Sequence, residues 1–152
     1  MFVIAGVVFA LDQLTKWWVV QVLDLPVVGS IRVWPPYFNL EMAWNRGINF
    51  GLLAGDSDLT RWIFIALALL ITGWVTWWMI RETRILARMS AGLLIGGALG
   101  NVVDRLAYGG VADFLNISCC GIENPYAFNI ADIAIFAGAI GLVLFTGEKK
   151  TA

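Results

Sequence analysis

The sequence predicts an all-α integral membrane protein: four transmembrane helices with a small β-rich element on one surface. Three observations carry that expectation. The chain is 60% hydrophobic and 14% charged, with a mean hydropathy of +0.80, far from the make-up of a soluble globular domain. Four apolar runs each approach the roughly 20 residues that a helix needs to cross the hydrocarbon core. The longest connection between them holds Pro26, Pro35 and Pro36 beside short β-branched and aromatic runs, the composition of turns and strands.

The first run, Phe2 to Val20, carries Asp12 and Lys16 inside it and has no basic start, so it reads as a retained span rather than a cleaved leader. The connection Gln21 to Thr60 follows. Within it, Ile31 to Trp34 and Tyr37 to Met42 are the expected strands, and Trp34, Tyr37, Trp44 and Trp62 suit a membrane interface. In "GDSDLTR", Asp56, Ser57 and Asp58 are candidate N-caps for the second span, Arg61 to Ile80. "RETRILAR", with Arg81, Arg84 and Arg88, leads to the third span, Met89 to Leu106. The connection Ala107 to Tyr126 leads to the fourth, Ala127 to Thr146, and the chain ends in "GEKK". Positive residues favour the cytoplasmic side, so both termini are expected there, and the connections 21–60 and 107–126 are expected to be exported. No internal repeat divides the chain, which reads as a single membrane-embedded domain over 1–152.

Composition also excludes chemistries. There is no histidine, which removes Ser-His-Asp triads, Cys-His pairs and His-ligated zinc. The two cysteines, Cys119 and Cys120, are adjacent without partner ligands, so they read as free thiols or a vicinal disulfide rather than a metal site. A net charge of −1 without a basic tract gives a nucleic-acid partner no support. No metal and no cofactor are expected.

The polar residues inside the spans can be placed by depth. Asp12 lies near mid-membrane with Lys16 one turn further out, an i,i+4 pair. Asn101, Asp104 and Arg105 fall in the last turns of the third span, and Asp113 lies just beyond it. In the fourth span Asn129 and Asp132 share a face, with Asp132 about 8 Å below the start. A charge in a spanning helix costs roughly 2.5–3.5 kcal/mol on insertion scales, so each needs a reason. Asp12 with Lys16 reads first as a buried pair holding helices together. Asn101 and Asn129 suit interhelical hydrogen bonds, Arg105 could snorkel, and Asp104 could be its partner. Asp113 and Asp132 have no basic residue at helical spacing. Two carboxylates without histidine or metal suggest acid–base hydrolysis, in which a closely spaced pair shares one proton and acts as base and acid together.

"GGALGNVVDR", "GGVADF" and "FNIAD", with "DQLTK" in the first span and "NRGINFG" in the first connection, resemble the signature set of the lipoprotein signal peptidases, or signal peptidase II. The matches run in order from Asp12 to Asp132. The resemblance implies a bacterial inner-membrane aspartic endopeptidase with its active site toward the periplasm, where the β-rich element also lies. It would cut signal peptides from prolipoproteins just before a diacylglyceryl-modified cysteine, with membrane lipid as its other partner. The catalytic pair it implies is Asp113 and Asp132. Supporting or substrate-orienting positions fall on Asp12, Lys16, Asn45, Asn101, Asp104, Arg105 and Asn129. The chain departs from the family pattern at Ile48 and Asn49, where alanines are common, and at Pro125, one place early. Two other classes compete: a small proton- or ion-coupled transport protein with a relay through Asp12, Lys16, Asp104 and Asp132, and a subunit that binds single helices without cutting them.

Overall fold

The computed structural model describes residues 1–47, 58–119 and 124–147. In chain order these form α1 (Phe2–Trp17), continued by a π-helical turn to Val22, a short α2 (Leu25–Val28), β1 (Ser30–Trp34), β2 (Phe38–Asn45), α3 (Asp58–Met79), α4 (Ile85–Tyr108), β3 (Val111–Ile117) and α5 (Ile130–Thr146). Among the described residues three helices are long and apolar enough to cross a membrane: Phe2–Val22, Asp58–Met79 and Ile85–Tyr108. The fourth expected span is the shorter apolar helix Ile130–Thr146, of 17 residues. The chain is an integral membrane protein by these helices and by their outward faces, where Leu70, Trp77, Phe136 and Val143 are exposed, the inverse of a soluble helix.

Helix α4 is the hub, packing against α1, α3 and α5, while α1 also touches α5. Small residues on α4 permit this. A Cβ added at Gly96 would lie 2.5 Å from the Ala5 carbonyl oxygen, and one at Gly97 would lie 2.5 Å from that of Ala131. Two faces of α4 are thus shaped for direct backbone approach, the packing mode on which spanning helices rely in the absence of a hydrophobic drive. Around them Ala5, Val75, Met79, Ala87, Ala91, Leu94, Ile95 and Leu142 make one apolar core.

The element boundaries correct the sequence reading. The second span begins at Asp58 rather than Arg61, and α4 begins at Ile85 rather than Met89, so Arg88 lies inside the helix. At its far end α4 runs to Tyr108 and stops at Gly109, whose φ of 76° sits in the left-handed region that glycine adopts without strain. The last helix begins at Ile130, after an extended Asn129, rather than at Ala127. Asp132 is therefore in its first turn and not a turn deeper. Of the candidate N-caps of the second span, Asp58 is its first residue, and Asp56 and Ser57 lie outside the described residues, as do Cys120, Ile48, Asn49 and the lysines of "GEKK". Cys119 is disulfide-bonded.

Both expected strands form, and β3, read from sequence as part of a connection, is a third. The sheet is antiparallel in the order β1-β2-β3. One face carries Ile31, Leu40 and Leu115, in an apolar cluster with Val19 at the end of α1 and Leu25 of α2. That cluster seats the sheet on the helix ends. Beyond β3, Phe128 pairs with Leu115, its N–H donating to the Leu115 carbonyl (3.0 Å) and its carbonyl accepting from Leu115 N–H (2.8 Å). This pairing brings Asn129 and the start of α5 beside Asp113.

Candidate active site

The innermost layer is ionic. Lys16 Nζ, one turn beyond Asp12 on α1, reaches Asp12 Oδ2 at 2.9 Å, Asp104 Oδ2 at 2.8 Å and Asn101 Oδ1 at 3.0 Å. An ammonium has three N–H donors, and all three are accounted for. Each carboxylate is held from further elements as well. Asp12 Oδ1 accepts from Ala131 N–H in the first turn of α5 (3.0 Å), and Asp104 Oδ2 accepts from Ala112 N–H of β3 (3.1 Å). One buried cation therefore ties α1 and α4 directly, and α5 and β3 through its acids. The expected Asp12–Lys16 pair is present, but Asp104 pairs with Lys16 rather than serving as the partner of Arg105. Gly100 leaves room for this: a Cβ there would collide with Asp12 Oδ2.

Gln13 was not singled out from sequence. Its Nε2 lies 3.2 Å from Asp12 Oδ2, from Asp104 Oδ1 and from the Gly100 carbonyl. The available signal was its place inside "DQLTK", beside Asp12.

The next layer carries the two remaining acids. Asn101, its Oδ1 engaged by Lys16, turns its amide N–H₂ to Asp132 Oδ1 at 2.9 Å. Asn129 caps α5 reciprocally with Asp132: Asp132 N–H donates to Asn129 Oδ1 (2.9 Å) and Asn129 N–H to Asp132 Oδ2 (3.3 Å), a capping box built from Asn and Asp. The same Asn129 donates from Nδ2 to Asp113 Oδ1 at 2.6 Å. On the other side of Asp113, Asn45 at the end of β2 donates to Oδ2 at 3.1 Å. The register sets this pair, because Asn45 is opposite Val111, two residues before Asp113 on the same face of β3. Arg105 donates from Nη1 to the Asn101 carbonyl (3.3 Å), stacks over Phe64 of α3 at 5.1 Å, and lies within electrostatic range of Asp132, Asp113 and Asp104.

Every site residue named from sequence thus belongs to one connected cluster at the junction of α1, α4, α5 and the sheet. Asp113 is 3% exposed. Burial first, and then the neighbouring charge of Asp132, push its carboxyl up to about 7, against the opposing hydrogen bonds from Asn45 and Asn129 and the charge of Lys16. The cluster therefore presents one acid that exchanges its proton near neutral pH beside a second carboxyl held by amide donors. Such an arrangement can exchange protons with water and with a polar bond brought between the acids. The Asn45 bond favours the charged form of Asp113, so Asn45→Ala should raise its titration point. By infrared spectroscopy of the full-length protein, the protonated Asp113 carbonyl band should vanish as pH rises through about 7, and only at higher pH in the variant. A band unmoved by Asn45→Ala would contradict the assignment.

A family profile described as signal peptidase (SPase) II matches residues 4–147. A lipoprotein signal peptidase of Rhodopseudomonas palustris is 42% identical over 145 residues, covering 93% of this chain and 88% of that protein. One from Sphingopyxis alaskensis is 39% identical over 150 residues, covering 97% and 86%. Two solved structures, each described as a bacterial membrane enzyme, share the fold. One aligns with a TM-score of 0.76 at 26% identity over 99% of this chain and 92% of its own. The other has a TM-score of 0.80 at 27% identity, over 97% and 92%.

Proposed function

This chain belongs to the lipoprotein signal peptidase (signal peptidase II) family, and from that premise we propose that it is an aspartic endopeptidase whose working pair is Asp113 and Asp132. The observation that carries the proposal is the hydrogen-bonded meeting of these two acids through Asn129. With it goes the raised titration of Asp113 near 7, caused by burial and by the Asp132 charge. Asp113 is then the resting proton carrier and Asp132 the resting base. Asp132 takes a proton from water while the hydroxide oxygen attacks the scissile carbonyl, and Asp113 gives its proton to the carbonyl oxygen. On collapse of the tetrahedral intermediate Asp113 recovers that proton and Asp132 protonates the leaving amine. The pair returns to its starting state with one shared proton.

The substrate we assign is a prolipoprotein cut just before a cysteine bearing diacylglycerol. Its lipid stays in the outer leaflet and its signal helix in the bilayer, so the scissile bond must be held at the boundary. The cluster lies where the helix ends meet the sheet, the depth such a bond requires. The lipid tails would lie between helices, and Arg105 or Asn45 would orient substrate carbonyls. We take α5 as the fourth span: its 17 residues rise about 25 Å against a hydrocarbon core of about 30 Å, a mismatch that local thinning accommodates. Arg81, Arg84 and Arg88 at the opposite end support a reading with both termini in the cytoplasm of a bacterial inner membrane and the cluster toward the periplasm. Family membership leaves the transport and non-cleaving readings without support.

The test is reconstitution of the full-length protein in vesicles with a diacylglyceryl-modified prolipoprotein. Release of the signal peptide and a mature product beginning at the modified cysteine is expected; an uncut substrate with correctly inserted protein would refute the proposal.

A further inference from the structure

The sheet has a second face that the cleavage site does not use. Along it, Arg32 of β1, Asn39 of β2 and Asn116 of β3 stand in one cross-strand row, with Ser30 and Glu41 forming the next. This face is opposite the one bearing Ile31, Leu40 and Leu115, which seats the sheet on the ends of α1 and α2. It therefore looks away from the helix ends. A cleft of about 720 Å³ opens there, lined by Arg32, Asn39, Glu41, Asn116, Ser118 and Asn124 among others, within the roughly 300–1,000 Å³ of ligand clefts.

The wall of the cleft is incompletely paired. Asn116 is 1% exposed and already committed, donating to the carbonyls of Asn124 (2.7 Å) and Tyr126 (3.2 Å). Its neighbour Asn39 differs: its Oδ1 is buried and has no hydrogen-bond partner among the described residues. A buried acceptor without a donor is costly, and native structures normally satisfy it. Arg32 and Glu41 add one cation and one anion, and neither is in an ion pair among the described residues. A single-sign ligand such as a phosphate headgroup would meet Arg32 favourably but Glu41 and the Asn39 oxygen unfavourably. An extended polypeptide, whose main chain alternates N–H donors with C=O acceptors, suits all three.

We propose that this cleft binds the polar stretch of the substrate chain that follows the cleavage point, with a substrate main-chain N–H donating to Asn39 Oδ1. This rests on the peptidase reading above. Strand β3 links the two places: Asn116 is three residues beyond Asp113, about 10 Å along the strand. A chain leaving the acid pair reaches the opposite face of the sheet after roughly four to six extended residues at about 3.3 Å each. The residues just after the modified cysteine then act as a tether, and recognition lies in the segment beyond them.

The experiment compares two diacylglyceryl-modified peptides with the same signal sequence, one ending about two residues after the modified cysteine and one about ten residues after it. Both are cut by the full-length enzyme in vesicles. The longer substrate should show a KM lower by roughly two- to tenfold, the range of one or two hydrogen bonds. Asn39→Leu and Arg32→Ala should each erase that difference by raising the KM of the longer substrate. Arg32 is exposed, so its substitution reports on the cleft even if Asn39→Leu disturbs the sheet. Equal KM values for the two substrates in the unmodified enzyme would overturn the proposal, as would a difference that persists in both variants. A KM that follows the anionic lipid content of the vesicle for both substrates would instead assign the cleft to lipid headgroups and also overturn it. Failure to cut either peptide would sink the peptidase reading itself, an outcome distinct from cleavage at equal KM.

Discussion

Asp113→Asn is expected to lower kcat for prolipoprotein cleavage by at least roughly 10²–10⁴-fold, the contribution of a positioned acid–base group, while the protein still inserts. Asparagine keeps the shape of the side chain but cannot hold or yield the shared proton. It also has one acceptor oxygen where the carboxylate has two, and both carboxylate oxygens are in use, toward Asn129 and Asn45. One of those amide donors is therefore left facing an N–H₂ group. A moderate loss of stability should accompany the loss of turnover, which makes a thermal midpoint in the same vesicles a necessary companion measurement. Asp132→Asn should behave alike in turnover, and it also weakens the cap of α5, because Asp132 Oδ2 accepts from Asn129 N–H. If the acids act as one unit, the double variant should be no slower than the slower single variant, since groups that share a proton are not additive. Turnover within tenfold of the unmodified enzyme in either single variant would refute the pair.

How much of this was legible in the sequence depends on whether an interaction is local. Hydropathy located all four apolar segments, and i,i+4 spacing paired Asp12 with Lys16, because both signals lie within a helix. Depth arguments placed Asn101, Asp104, Arg105, Asp113 and Asp132 near one another without any contact being known. What could not be read was which acid meets which donor. Asp104 reads from sequence as a candidate partner of Arg105, its neighbour, whereas the observed partner is Lys16, 88 positions away. Strand β3 was missed for the same reason: "VADFLNI" is short, and its partner β2 is about 70 residues earlier. The start of α5 was misplaced because Ala127 and Phe128 are apolar enough to continue a span, yet their backbone is drawn off by pairing with β3. That displacement moves Asp132 into the first helical turn, where it meets Asn129 and Asn101.

The largest effect on stability is expected from Lys16→Met, and its comparison with Asp12→Asn tests the architecture of the inner layer. Lys16 is 3% exposed, Asp12 0% and Asp104 1%, so none of the three is solvated. Removing the lysine strands two buried carboxylates at once, and leaving a buried charge uncompensated costs about 3–5 kcal/mol, a large part of the 5–15 kcal/mol that holds a typical domain folded. Removing Asp12 leaves Lys16 paired with Asp104, and an asparagine there can still accept from Ala131 N–H, so the loss should be markedly smaller. The order of thermal midpoints should be unmodified protein, then Asp12→Asn, then Lys16→Met, and adding Asp12→Asn and Asp104→Asn to Lys16→Met should recover part of the loss. Turnover should fall with Lys16→Met beyond what the folded fraction explains. Lys16 holds Asn101 Oδ1 at 3.0 Å, and this bond, with the longer one from Asn129 Nδ2 (3.4 Å), turns the Asn101 amide N–H₂ toward Asp132. A Lys16→Met protein as stable as the unmodified one, or an Asp12→Asn protein less stable than Lys16→Met, would show that the lysine is not the centre of the inner layer.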